Sequence, residues 1–196
     1  MPPSVRFSRE AVLDAAYQLV RREGPAALNA RAVARELGGS TQPIFRIFSG
    51  MEELKQAVIE LSLRTWKSSL SQRLQESAFP YLTIGMCFLL FARDEPELFK
   101  LLFMRDRVSD GSCTDYNLDW GIPLIEDTVK VDVETARKLY ERNWLYCYGL
   151  AVSIATKYIH CISECEMRTL LVESLQGAAM QLNVKLPTID QCSVVI

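Results

Sequence analysis

Residues 26–54 read AALNARAVARELGGSTQPIFRIFSGMEEL, and this stretch decides the fold. Ala30, Val33, Ala34 and Leu37 fall on one face at helical spacing, which predicts a short helix over 30–37. Gly38-Gly39 stops it, because glycine takes the left-handed helix-end conformation without a side-chain penalty. Ser40 is expected to cap a second helix through its hydroxyl, with Thr41, Gln42 and Pro43 in the first turn. Proline suits that turn, whose amides have no partner inside the helix. Ile44, Phe45 and Phe48 are predicted to turn inward, leaving Thr41, Gln42 and Arg46 outside. Two short helices joined by a glycine turn make a helix-turn-helix, whose second helix enters the DNA major groove.

Charge is distributed to match. The chain carries a net charge of -2, which alone argues against nucleic acid. Residues 1–50, however, hold seven arginines and four acids, a balance of +3, so the remainder stands at -5. A basic module before an acidic body suggests that the first module alone meets phosphate. Its bases are all arginine, which suits bidentate contacts to phosphate or guanine. The plainer reading of any single arginine is a solvated surface charge.

A length of 196 residues allows one large domain, or a small one followed by a medium one, and 49% apolar residues suffice for a core. Apolar residues recur three and four apart and strand-like alternation is scarce, so the expected class is all-α. We place a helix-turn-helix domain at 1–50 and a helical ligand-binding and dimerisation domain at 51–196. The amino end lacks an apolar leader, and the most apolar run, 81–92, is too short to span a bilayer. A cytoplasmic protein without membrane contact is therefore expected. Six cysteines without a CxxC pair read mostly as small buried apolar groups.

Helices are predicted over 9–23, from 51 onward, 81–93, 96–104, 122–131, 133–160 and 164–182, with a polar loop at 105–119. Asp132 is expected to cap the long helix at 133–160, and Ser163 with Glu166 has capping-box spacing for the last.

The segment FSREAVLDAAYQLVRREGPAALNARAVARELGGSTQPIFRIFSGMEEL resembles the amino-terminal part of TetR-family transcriptional regulators. The shared features are a first helix ending at Gly24, an R-x-VA-xELG run, and F-R-x-F followed by S-G-x-EEL, over roughly residues 7–60. The remainder is similar only in length, helix content and the EPELFKLLF segment at 95–103. The resemblance implies a homodimer on a near-palindromic operator in double-stranded DNA, a small-molecule inducer of unknown identity held by the carboxy-terminal domain, and a four-helix bundle made by the last two long helices. By position it implies that Arg31 contacts DNA, that Thr41, Gln42, Phe45 and Arg46 occupy recognition-helix positions, and that Lys55 lies near phosphate. Three departures stand out: Phe45 replaces a common tyrosine, Ile47 a histidine and Met51 a phosphate-binding lysine. They imply fewer or different backbone contacts.

The candidate DNA-binding residues are Asn29, Arg31, Ser40, Thr41, Gln42, Phe45, Arg46 and Lys55. The Gln42 amide is shaped to bond adenine N6 and N7 together, and Thr41 to meet phosphate or a thymine methyl. Asn29 is expected to cap the first motif helix. Met86, Phe91, Phe99, Phe103, Trp120, Trp144 and Tyr148 are the candidates for a ligand pocket, although aromatics at helical spacing more often form core. For the dimer face, Leu139, Leu145, Ala151, Val152 and Ala155 with Gly149, and Leu170, Leu171, Leu175, Ala178, Ala179 and Leu182, are weighed against an intramolecular core. His160, Cys161 and Cys165 adjoin, but no fourth metal ligand is evident, so no metal and no cofactor is expected. One histidine and no G-x-S-x-G, H-E-x-x-H or phosphate loop argue against an enzyme. The expected function is a DNA-binding regulator, a repressor released by a small apolar or amphipathic ligand. The alternatives are a ligand-binding or adaptor dimer with weakened DNA binding, and a small helical enzyme using carboxylates.

Overall fold

A computed structural model describes residues 7–75, 77, 79–106 and 118–188, with the backbone alone for 118–120. The described residues form helices and connecting turns, with no strand among them. No helix among them is long and apolar enough to cross a membrane.

Local signals set most helix ends. Helix α1 (Arg9–Glu23) starts where Ser8 Oγ accepts from the Ala11 amide at 3.1 Å, and stops at Gly24, whose φ is +88°. A 3-10 turn (Pro25–Ala27) leads to α2 (Ala30–Glu36), where Asn29 Oδ1 accepts from the Ala32 amide at 3.0 Å. After α2 the Gly38 amide donates to Arg35 O at 3.1 Å and the Gly39 amide to Ala34 O at 2.9 Å. This is a Schellman turn, and Gly38 supplies its left-handed residue at φ +64°.

Helix α3 (Gln42–Ile47) begins later than predicted. Thr41 is its cap residue and already has helical backbone angles, so the Ser40 hydroxyl caps nothing. A side-chain cap needs an extended backbone to swing its oxygen back over the first amides. Helix α4 (Met51–Leu74) starts with the Ser49 amide donating to Glu53 Oε2 at 2.7 Å. The later helices are α5 (Pro80–Asp94), α6 (Pro96–Phe103), α7 (Leu118–Val129), α8 (Val133–Ala155) and α9 (Glu164–Gln181).

Asp132 Oδ1 caps α8 by accepting from the Glu134 and Thr135 amides at 3.0 Å each, and the Ser163–Glu166 capping box opens α9. Helix α8 ends five residues before His160, where Lys157 takes a left-handed φ of +60°. Helix α7 starts at Leu118 rather than 122 and carries Pro123 inside it, which forfeits one amide bond. Of the polar loop expected at 105–119, residues 107–117 lie outside the described residues.

The chain divides into two compact units, Met1–Lys67 with Glu95–Arg105, and Ser68–Asp94 with Asp106–Ile196. In the first unit α1 packs on α2 and on α6. Its core joins Val12, Leu19 and Val20 to Val33, Ile44, Phe48 and Leu54, and to Leu98, Phe99 and Leu102 of α6. Trp66 meets Phe103 edge to face at 6.1 Å between ring centroids. In the second unit α5 packs on α8 and α9, while α7 packs on α8. Helix α5 is buried from Tyr81 to Ala92 except at Gly85, as an all-round apolar helix must be. Of the expected dimer face, Leu139, Ala151, Ala155, Leu171, Leu175, Ala178 and Ala179 are buried inside this unit, and only Leu145 and Gly149 are exposed. Those residues lie on the inner sides of α8 and α9, the intramolecular alternative weighed above.

Candidate nucleic-acid interface and cavities of the second unit

The first unit sorts its arginines into two groups. Arg9 Nη2 donates to Glu53 Oε1 at 3.0 Å, and its guanidinium lies 4.4 Å from the centroid of the Phe48 ring. Arg21 forms a forked pair with Glu95, its Nε donating at 2.7 Å. Arg22 Nη2 reaches Glu36 at 2.6 Å and Glu23 at 2.8 Å. The Glu36 carboxylate, then Glu23, raise the Arg22 pKa above its ordinary value. These three arginines brace α1 against its neighbours. Arg31, Arg35 and Arg46 are exposed and make no ion pair among the described residues. All three lie on the helix-turn-helix, and Arg6 lies outside the described residues.

Thr41 and Gln42 stand at the start of α3, with Gln42 exposed and Thr41 half-buried. Neither side chain makes a hydrogen bond among the described residues, so their polar atoms remain available to a partner. Ser40 is exposed beside them. Phe45 does not turn inward: it is 53% exposed, while Ile44 and Phe48 take the core positions. In so short a helix, Ile44 and Phe48, one turn apart, fill the inward stripe, and Phe45 falls outside it. Asn29 engages both ends of its amide, Oδ1 with Ala32 N and Nδ2 with Ala27 O at 3.0 Å, so it shapes the motif's start. Lys55 is half-buried, with Nζ 3.9 Å from Glu52. Arg35 was missed by the motif reading, although it follows Arg31 by one helical turn and so shares its face.

The sequence's ligand candidates do not converge on one place. Met86 and Phe91 are core residues of α5. Phe99 and Phe103 belong to the first unit, 5.2 Å apart between ring centroids. The Trp120 side chain lies outside the described residues. Trp144 lines a cavity, stacked on Tyr140 at 5.9 Å and meeting Phe88 at 4.7 Å, and Tyr148 stacks on Phe88 at 6.2 Å.

That cavity lies among α5, α7, α8 and α9 and is narrow, with room for about one water. Tyr81, Tyr140, Asn143 and Cys147 line it beside Trp144. The spacing 140, 143, 144, 147 places one face of α8 toward it, and this was the available sequence signal for Asn143. Asn143 is 3% exposed, and its Nδ2 donates to Leu171 O at a long 3.4 Å. Burial pushes the Cys147 thiol up to about 12 and the Cys87 thiol to about 11, so both act as apolar groups at neutral pH. Cys161 and Cys165, by contrast, are exposed, and no group of three metal-ligating side chains occurs among the described residues.

Residues 12–58 match the family model described as bacterial regulatory proteins, tetR family. No curated protein matches the chain. The matched segment contains α2, α3 and the glycine turn between them, which carry all three unpaired arginines of the motif.

Proposed function

We propose that the chain, whose residues 12–58 match the family model of bacterial regulatory proteins, tetR family, is a DNA-binding transcriptional regulator of that family, a cytoplasmic homodimeric repressor released by a small apolar or amphipathic ligand. Residues 1–50 read the operator, and residues 51–196 supply the ligand site and the dimer contact. The protein works by binding rather than by catalysis.

One observation carries the DNA-reading part. Arg31, Arg35 and Arg46 make no ion pair among the described residues, on the same motif that presents Thr41 and Gln42 at a helix start. A soluble surface normally disperses or pairs such charges, and here three arginines that are paired lie off the motif. Gln42 serves as the base reader, Thr41 and Arg46 flank it, Arg31 and Lys55 hold phosphate, and the exposed Phe45 ring lies against sugar. Ser40 and Asn29 sit beside the backbone at the two helix starts.

For dimerisation, the support is an outer surface rather than the predicted inner one. Leu145 is 71% exposed on α8 and Met180 80% exposed on α9. Gly149 and Gly177 have nothing within 4 Å of an added Cβ, which leaves room for close approach of a helix. Binding the inducer better in a conformation whose two heads mismatch the operator half-sites lowers DNA affinity by linkage.

Selection of bound duplexes from a random pool tests the whole reading. A two-fold symmetric winning sequence is expected. Recovery of no enriched duplex at low salt overturns it and favours the adaptor alternative, which the replaced positions Phe45, Ile47 and Met51 would then explain.

A further inference from the structure

Two cavities of the second unit share a wall. Tyr81 and Leu82 line both. Beyond them, the first cavity is bounded by Tyr140, Asn143 and Trp144. The second is bounded by Ile125, Val129, Leu175 and the segment Leu186–Pro187. The second is hydrocarbon apart from the Thr128 and Tyr81 hydroxyls. Neither has a charged side chain on its walls among the described residues. Both are narrow in this conformation, so a guest larger than water widens them.

The first cavity has a polar orientation as well as a flat wall. The Tyr140 and Trp144 rings lie 11° from parallel. Asn143, nearly fully buried, spends its amide nitrogen on Leu171 O, and its carbonyl oxygen accepts no hydrogen bond among the described residues. A guest that donates to this oxygen adds a hydrogen bond that the wall itself does not supply.

The geometry points to one elongated, uncharged ligand that spans both cavities. Its flat head donates a hydrogen bond to Asn143 Oδ1 beside Tyr140 and Trp144, and its aliphatic tail passes Tyr81 and Leu82 to lie under Leu186 and Pro187. This rests on the reading that the second unit holds the inducer, and it restricts that inducer to neutral head-and-tail molecules. A carboxylate, phosphate or ammonium would be buried without an opposite charge.

Calorimetric titration of the intact, DNA-free protein with 4-n-alkylphenols from ethyl to octyl tests this, since these phenols are neutral at pH 7 and donate one hydrogen bond. Affinity is expected to rise about fourfold per added methylene until the second cavity is full. The matching 4-n-alkylbenzoates and 4-n-alkylbenzylamines, charged at the head, are expected to bind at least about tenfold more weakly. Asn143→Leu should weaken phenol binding about tenfold while keeping the gain per methylene. Val129→Trp should keep ethylphenol binding and remove the gain from longer tails.

The inference is overturned if no alkylphenol binds saturably, if a charged series binds as well as the neutral one, or if Val129→Trp leaves the length dependence intact. A charged compound that binds the protein and releases DNA would sink this inference and leave the regulator reading standing. Absence of duplex binding in the pool selection sinks the regulator reading without touching the titration.

Discussion

The two compact units handle polar groups in opposite ways. The first leaves three guanidinium groups unpaired on its outer motif and neutralises the arginines that brace its own helices. Among the described residues, the second lines its cavities with no charged side chain and places the Asn143 carboxamide there. A guanidinium in water loses little by waiting for a polyanion, because solvent satisfies it meanwhile. An amide oxygen on a narrow, largely apolar wall meets little solvent, so it favours a partner that brings a proton donor. One unit is therefore built for long-range charge and the other for short-range fit.

The largest expected effect tests the charged side of that contrast. If each subunit neutralises about three phosphates, a dimer neutralises about six, and a fourfold rise in salt weakens duplex binding roughly a thousandfold. Fluorescence anisotropy at 50 and 200 mM salt (about the range over which such slopes are read) measures it, and a flat response breaks the comparison. Next in size, Gln42→Ala should lose about 1 to 3 kcal/mol of discrimination at one base pair of each half-site. Competition between the selected duplex and single-base variants reads this. Lys55→Ala should instead lower affinity for all sequences alike and reduce the salt slope by about one per subunit.

Stability measurements sharpen the comparison from the fold side. Gly38→Ala forces a side chain into a φ of +64°, so chemical denaturation should show a loss of about 1 to 2 kcal/mol. Ser163→Ala removes the Ser163–Glu166 capping box and should cost about 1 kcal/mol.

The smallest effect is a pH response. The Ser49 amide, then its hydroxyl and Arg9, hold the Glu53 carboxyl below its ordinary 4.5. A depressed carboxylate stabilises the fold above its unfolded value, and that contribution fades as pH drops from 4.5 through the folded value. Glu53→Gln should therefore flatten the acid limb of a thermal-melt series below pH 4.5. An unchanged limb would show that the Arg9–Glu53 link adds nothing.

What could be read directly from the sequence was local. Asn29, Asp132 and Ser163 each cap a helix whose first amides lie two or three residues away, so a few adjacent residues settle the matter. The glycine turn is equally local. Ser40 failed because the helical angles at Thr41 move the start by one residue, a choice that propensity does not make. Phe99 and Phe103 follow α5 in sequence and were read with it, yet α6 joins the head through a pair between residues 21 and 95. Such a long-range closure leaves no periodic trace. Asn143 was missed because an asparagine within a long helix usually faces water, and only its neighbours at 140, 144 and 147 mark the face as inward.

That closure by α6 bears on how such a head is inherited and engineered. Leu98, Phe99 and Leu102 complete the hydrophobic interior of a module whose other parts end at Lys67. A graft of the first 67 residues onto a foreign effector body would leave one side of α1 bare unless the recipient supplied an equivalent of α6. The first unit is thus discontinuous in sequence, and moving it intact means transplanting two separate stretches of gene.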